Sequence, residues 1–448
     1  MKLKLTILFL FGFIYAGISQ ESPLKLSLNE AITYALEHNR QVLNAENDIA
    51  AAKKQKWEAT ATGLPQINAI VDYQNWLKQQ VALIPAEFFG GEPGDFAEVA
   101  FGTKHNINAT ATLSQLIFDG SYLVGLQSAK VFLEISKNAK QKTEQEIKKG
   151  VIDAYGNALM AEESISILEK NKETLQKNLN DIQKTYENGL AEEESVEQLQ
   201  ITLSNIENNL NKTLRLRKIS YSMLNFILGI DINDPVELTD DLESLTSQNI
   251  NLNLLAESLN PENNIDFKIA QNNERSKELL LKYEKSKALP SLSAFINGAY
   301  NGYSNTFTFL RSDQRWLGSS LLGVSLNVPI FSSLERTART QRAQINYEKA
   351  KIELTEAEQQ LALKTATAKN EYQYAIQQYQ TAKMNLALAE RIEKKNEIKF
   401  FEGVGSSFDL HQAQIQLYTA QNEYLQSMLD VLTKKADLET ILTPVNNN

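Results

Sequence analysis

Four short segments of this chain alternate between apolar and polar residues with a period of two. In the clearest one, 106–114, the isoleucine, alanine and leucine side chains fall on one side and the asparagine, threonine and serine side chains on the other. Segments 66–73, 291–300 and 322–330 show a similar alternation. Alternation of this kind predicts β-strands with one apolar and one polar face. About ten residues suffice for a tilted membrane strand, but a half-buried sheet in a soluble domain gives the same pattern.

Long stretches without proline lie around these segments and predict helices. An interior proline would destabilise a helix by about 3 kcal/mol, and the stretches are rich in Ala, Leu, Glu, Gln and Lys. They are Leu24–Thr62, Gly120–Asn188, Leu190–Leu228, Leu334–Glu402 and Ser406–Thr443. A helix over Leu334–Glu402 would be about 100 Å long, so it would form a coiled coil, a spacer or the wall of a tube.

The whole pattern occurs twice. Three groups of positions return in the same order: Leu64–Ala69 as Leu289–Ala294, Leu113–Phe118 as Leu326–Phe331, and Gly189 as Gly403. Each half has the order helix, strand, loop, strand, long helix, helix. A solenoid repeat spans about 20–50 residues, so half a chain is instead a duplicated, domain-sized unit.

Aromatic residues flank the predicted strands, namely Tyr73, Trp76, Tyr300, Tyr303 and Trp316. Because Trp and Tyr are enriched where a membrane meets water, these residues would form an aromatic girdle if the strands cross a bilayer. The connections inside the two strand pairs are polar and rich in turn residues, as in Gly90–Asp95. This composition predicts mobile loops.

The N-terminus has the pattern of a secretory signal peptide over residues 1–19. Lys2 and Lys4 precede an apolar run over 5–14, and small residues follow up to Ser19. The apolar run is too short to cross about 30 Å of hydrocarbon as a helical anchor.

Composition argues against several kinds of chemistry. The 448 residues carry a net charge of −10 and no basic block, so nucleic acid is not an expected partner. The chain has no cysteine, which excludes disulfides and thiolate chemistry. The three histidines lie in different elements without ligand spacing, so no metal is expected. No phosphate loop, nucleophile elbow or paired carboxylates stand out, so we expect no cofactor, no catalytic residue and no enzyme activity.

Over nearly its whole mature length, the chain resembles the TolC-like outer-membrane efflux proteins. The resemblance rests on the opening segment Leu26–Ile32, the Leu-Pro strand entries, the strand exits Gln115–Gly120 and Val328–Phe331, and the glycine turns Asn188–Leu190 and Glu402–Val404. Each motif is common by itself, whereas their order, repeated twice, is specific.

The resemblance implies a mixed α and β membrane fold. Three chains would each give four strands to a twelve-stranded outer-membrane β-barrel, continued by a long α-helical barrel in the periplasm. The cost of unpaired strand edges in lipid also favours assembly of several chains, because four strands cannot close on themselves into a barrel. The implied function is the passive exit duct of a tripartite efflux or type I secretion system. The implied partners are outer-membrane lipid, a periplasmic adaptor (membrane fusion protein) and an inner-membrane RND or ABC transporter.

The resemblance also assigns roles to residues at the two helical turns. Gly189, Leu190, Gly403 and Val404 match the family's adaptor-docking tips, although glycine is usual in any helical hairpin. Asp409 matches the first acidic position of the family's pore constriction. Gln412 falls on the second.

Two positions depart from the family's salt-bridged lock at the tips. Gly405 replaces the basic gating residue and Ser195 replaces an acidic partner. From the residues alone, Ser406 and Asp409 also form a helix-capping pair.

The predicted organisation has two repeats, 20–228 and 264–443, joined by an equatorial linker over 229–263 and followed by a tail over 444–448. In the first repeat the predicted strands are 65–77 and 105–118, and the helices are 120–188 and 192–228. In the second the strands are 290–303 and 318–331, and the helices are 333–402 and 406–443. A soluble periplasmic coiled-coil scaffold or adaptor is the alternative, which explains the helices but not the four strands.

Overall fold

The computed structural model describes residues 23–444. The predicted signal peptide and most of the predicted tail lie outside them. The α-helices are α1 (Leu28–His38), α2 (Arg40–Ala61), α3 (Gly120–Glu187), α4 (Glu193–Leu228), α5 (Leu242–Gln248), α6 (Asn253–Ala256), α7 (Ile265–Ser286), α8 (Glu335–Phe401) and α9 (Ser407–Leu442). The strands are β1 (Leu24–Leu26), β2 (Gln66–Asn75), β3 (Val81–Pro85), β4 (Phe96–Ala100), β5 (His105–Phe118), β6 (Val236–Leu238), β7 (Ser291–Ser304) and β8 (Trp316–Asn327).

Local sequence signals explain several helix ends. Ser27 caps α1 in a capping box, since its backbone N–H donates to Glu30 Oε2 at 2.8 Å and its hydroxyl accepts from the N–H of Glu30. The N–H of Ser27 lowers the pKa of the Glu30 carboxyl. Asn264 caps α7 by accepting from the N–H groups of Asp266 and Phe267.

The described residues divide into two compact units, formed by non-contiguous segments. The first contains the chain up to Leu43, Glu144–Ser258 and Thr365–Ile441. Its core is helical, and its fully buried side chains include Tyr155, Leu224 and Leu438. The hydroxyl of Tyr155 donates to Asp240 Oδ2, 2.9 Å away, which ties α3 to the linker.

The second unit contains Asn44–Thr143 and Leu259–Lys364 and holds a four-stranded antiparallel sheet. Its strand order is β2-β5-β7-β8, so each repeat contributes two neighbouring strands. Strands β2 and β8 are the edges of this sheet.

The fourth predicted strand was expected to reach 331, but β8 ends at Asn327. Pro329 cannot donate to a ladder, and its carbonyl accepts instead from Arg336 Nη1 at 2.8 Å. Ser333 and Leu334 then adopt positive φ angles of 48° and 67°, which turn the chain into α8.

The first turn-rich loop also contains structure that its composition did not predict. Strands β3 and β4 form a two-stranded hairpin, joined through a 3₁₀ turn over Ala86–Phe89. In the linker, β6 pairs in parallel with β1 near the N-terminus.

Candidate functional site

The register of the four-stranded sheet brings the four apolar stripes onto one face. Leu113 of β5 lies beside Ile67 of β2 and Ile296 of β7, and Ile296 lies beside Leu322 of β8. Three of these side chains are exposed in the single chain, with Leu322 71% exposed. An apolar face that crosses a whole sheet needs an apolar partner, either lipid or protein.

The opposite face is mainly polar over the same rows, with apolar exceptions such as Ile70 and Leu321 on the two edge strands. The row next to the apolar one consists of Asn68, Thr112, Asn297 and Leu321. The sheet is therefore two-sided, with its polar face suited to water.

The predicted aromatic girdle divides between the two faces. The register places Tyr73, Tyr300 and Trp316 on the apolar face. Tyr303 instead pairs with Asn106, so strand alternation puts it on the polar face. The N–H of Trp76 donates to Lys104 O at 2.8 Å, which continues the ladder by one residue and places Trp76 on the polar side as well. This division between the faces does not follow from the positions of the five residues beside the predicted strands.

The two turns between long helices have the same geometry. Gly189 and Gly403 have φ angles of 76° and 77°, and no atom lies within 4 Å of an added Cβ at either position. The N–H of Leu190 donates to Thr185 O and that of Val404 to Lys399 O, both at 3.0 Å. These are Schellman turns, in which a left-handed glycine closes the helix.

The residues after the two glycines are open to solvent, since Leu190 is 80% and Val404 74% exposed. An apolar residue at this position of a Schellman turn commonly packs back on its own helix. Two exposed apolar side chains on two equivalent turns are therefore available to a partner.

An apolar cluster supports the turns from within the first unit. Leu175 and Ile182 of α3 pack with Val196, Leu199 and other residues of α4, and Phe400 of α8 and Tyr418 of α9 join them. Burial raises the pKa of the Tyr418 hydroxyl. Both helical hairpins thus share one core near their turns, which holds the exposed tips on a packed base.

Polar contacts between the hairpins lie in the same region. Thr202 Oγ1 and His411 Nδ1 are hydrogen bonded at 3.0 Å, and Asn178 donates to Glu397 Oε1 at 3.3 Å. Burial raises the pKa of the neighbouring Glu393 carboxyl, and Glu397 adds to this effect. These contacts could not be predicted from the sequence, because the partners lie far apart in the chain.

Asp409 lies in the first turn of α9 and is exposed. Its Oδ2 accepts from the Ser406 hydroxyl at 2.7 Å, while its own N–H donates to Ser406 Oγ at 3.1 Å. The capping pair is therefore present. Gln412 is also exposed, whereas Ser195 is buried.

Within residues 23–444, no group of three or more His, Asp or Glu side chains is placed to hold a metal ion. None of the helices in the same range is both long enough and apolar enough to cross a bilayer.

The sequence model of the outer membrane efflux protein family matches residues 31–230 and 258–443. The chain belongs to the outer membrane efflux protein family. Two separate matches also confirm the internal duplication. A comparison with curated protein sequences gave no match.

Solved structures share the fold of this efflux protein. CusC, whose crystal structures concern folding and transmembrane channel formation, aligns with a TM-score of 0.75 at 16% identity over 96% of both chains. The outer membrane protein VceC of Vibrio cholerae aligns with a TM-score of 0.71 at 14% identity, over 93% of this chain and 96% of its own. The outer membrane channel MtrE of Neisseria gonorrhoeae aligns with a TM-score of 0.71 at 17% identity, over 93% of this chain and 88% of its own.

These findings confirm the predicted resemblance and fold. The efflux protein is located in the cell outer membrane, and its family is one of efflux proteins rather than enzymes. The alternative of a soluble scaffold does not fit this membership.

Proposed function

We propose that three copies of this chain form a passive exit duct through the outer membrane, as part of a tripartite efflux or type I secretion system. The observation that carries the proposal is the two-sided, four-stranded sheet with two open edges. Unpaired backbone groups are costly in lipid, so the edges must be paired by other copies. Three sheets of four strands make a closed barrel with an even number of strands.

The faces of the sheet set its orientation in this barrel. The apolar face, which includes Val71, Leu322 and Val324, would contact lipid. The polar face, which includes Asn68, Thr112 and Asn297, would line the water-filled interior. Tyr73, Tyr300 and Trp316 would then lie in an aromatic belt.

The tips would receive a periplasmic adaptor, which couples the duct to an inner-membrane pump. The exposed Leu190 and Val404 support this role, since they are apolar and sit on equivalent turns over a packed base. In this proposal the inner-membrane pump would supply the energy for transport.

The adaptor contact is tested by photo-crosslinking from the tips. A photoreactive amino acid at Leu190 or Val404 is expected to capture a membrane fusion protein in cells, identified by mass spectrometry. The control places the same group at Ile352, which is 69% exposed on α8. Capture of the same partner from Ile352, or of none from either tip, would contradict docking at the tips.

Asp409 is proposed to contribute to a ring of negative charge at the pore constriction, with Gln412 nearby. Threefold symmetry would place three carboxylates around the axis, which favours cations. Replacing Asp409 by Ala is expected to lower cation selectivity or to raise conductance in planar bilayers.

A matched control separates this role from helix capping. Ser406→Ala removes the hydroxyl that bonds to Asp409 and keeps the carboxylate, so its selectivity should stay near that of the unmodified protein. If Asp409→Ala leaves both selectivity and conductance unchanged, Asp409 does not lie in the pore.

A further inference from the structure

The β3–β4 hairpin carries an exposed apolar surface at one end of the sheet. Along the hairpin, Leu83 pairs with Glu98 and Pro85 pairs with Phe96, so these four side chains share one face. Five large apolar side chains of the hairpin region are more than 60% exposed: Leu83 64%, Phe88 78%, Phe89 64%, Phe96 65% and Phe101 66%. We call this set the hairpin patch.

The hairpin patch needs a partner for physical reasons. In the described part of the chain, β3 and β4 hydrogen-bond only with each other as a sheet. An isolated two-stranded hairpin is marginally stable in water unless an apolar face is covered. Residues 79–103 contain four carboxylates and no Lys or Arg. The partner should therefore be apolar and cationic.

Loop 305–315, which joins β7 to β8, has these properties. Leu310 is 91% exposed at its tip. The loop carries two arginines and one aspartate. Arg311 bonds to both carboxylate oxygens of Asp313, at 3.0 and 2.9 Å. Among the described residues, the guanidinium of Arg315 has no such partner, and it is exposed.

Two phenylalanines of loop 305–315 hold it against strands β2 and β8 of its own chain. The ring of Phe307 packs edge-on against Tyr73 with 5.8 Å between centroids, and Phe309 lies 6.3 Å from Trp316. Phe309 is buried. The loop therefore presents Leu310 and Arg315 from an anchored base.

Strand order places the hairpin and this loop side by side in neighbouring chains. The hairpin follows β2 and the loop precedes β8, and both lie at the same end of the antiparallel sheet. In a closed ring, β8 of one protomer pairs with β2 of the next. Each of these β8–β2 junctions between protomers, here called a seam, then brings the hairpin of one chain next to loop 305–315 of its neighbour. This step rests on the proposed trimeric barrel.

We propose that the hairpin patch of each protomer docks on loop 305–315 of the neighbouring protomer, with Leu310 against the phenylalanines and Arg315 against the hairpin carboxylates. The contact closes each seam outside the strand ladder. Packing of the three hairpins on one another is disfavoured, because it would bring twelve carboxylates together with no cation among them.

Cysteine pairs test the contact cleanly because the chain has no cysteine of its own. Phe89→Cys and Leu310→Cys are combined in the full-length protein and oxidised in isolated outer membranes. The expected products on a non-reducing gel are covalent dimers and trimers from the double variant, and none from either single variant. Covalent trimers are informative, since at least one protomer must then be linked to both of its neighbours.

The other products would overturn the proposal. Dimers from Phe89→Cys alone would show that hairpins meet each other, a disulfide within one chain would show internal docking, and no product would show that the surfaces do not meet. Native mass spectrometry of the same variants distinguishes a failure of the docking contact from a failure of the trimeric assembly. A trimer without cross-links contradicts only the docking, whereas the absence of a trimer contradicts the proposed function.

Charge reversal gives a second readout on the cross-linking pair. Arg315→Glu is expected to reduce the cross-linked yield several-fold, and adding Glu98→Arg to restore it. Lys78→Glu makes the same charge change outside both surfaces and should leave the yield unchanged. An equal loss with Lys78→Glu, or no loss with Arg315→Glu, would remove the electrostatic part of the proposal.

Discussion

Replacing Leu322 by arginine is expected to abolish accumulation of the assembled protein in the outer membrane, whereas replacing Leu321 by arginine leaves it assembled. The two leucines are neighbours in β8 and point to opposite faces of the sheet. Leu322 lies in the row with Ile67, Leu113 and Ile296, and Leu321 in the row with Asn68, Thr112 and Asn297.

The difference comes from the medium that each face meets. An arginine on the lipid face of a barrel costs about 2–4 kcal/mol at the bilayer midplane, whereas substitutions facing the interior are tolerated. In a trimer the cost applies to each of the three protomers.

The readout is the amount of protein in carbonate-washed outer membranes and its oligomeric state on native gels. Loss of both variants to the same extent would mean that β8 tolerates no arginine at these two positions. Ser319→Arg, on the polar face, would then be compared with Leu322→Arg. Loss of Leu321→Arg alone would show that the two faces are assigned the wrong way round.

Replacing Gly229 by alanine is expected to be the most damaging small substitution in the helical unit. Gly229 ends α4 with a φ of 87°, and an added Cβ would lie 2.4 Å from the carbonyl oxygen of His38. The clash is with backbone, which no side-chain rotation relieves. Left-handed strain and overpacking together are expected to lower the free energy of unfolding by about 2–4 kcal/mol.

Gly189 provides the matched control for this substitution. It also has a positive φ, but its Cβ would meet open space, so Gly189→Ala should cost only about 1–2 kcal/mol of backbone strain. Chemical denaturation of the detergent-solubilised variants, followed by circular dichroism, measures the difference. Equal losses at the two positions would show that contact with His38 does not determine the role of Gly229.

Much of the fold follows from simple features of the sequence. Long stretches without proline become α3 and α8, each within one or two residues of the predicted ends. Alternation over 106–114 becomes part of β5, and the apolar stripes of four separate segments meet on one face. These signals are strong because a wrong period would bury polar groups along a whole element.

Other features could not be read from the sequence, for reasons that differ from place to place. Strands β3 and β4 have only five residues each, and the glycine-rich turn between them dominates the local signal. The pairing of β1 with β6 joins three-residue strands from distant parts of the chain. Tyr303 flanks a predicted strand like the other girdle residues, but it lies three positions after Tyr300, and an odd step along a strand reverses the face.

Parts of the candidate site could be predicted from the sequence, and other parts could not. The glycine turns were visible because two equivalent positions need a left-handed residue. The exposure of Leu190 and Val404 and the contact of Thr202 with His411 required the packed hairpins, since they depend on neighbours outside the local sequence.

Imaging of single particles of the detergent-extracted protein tests the trimeric duct most directly. A trimeric duct would give threefold end views and tapered, cylindrical side views more than about 100 Å long, because α3 and α8 are each long enough to span about that distance. Compact monomers, or rod-like two-stranded particles found in the aqueous fraction, would contradict it.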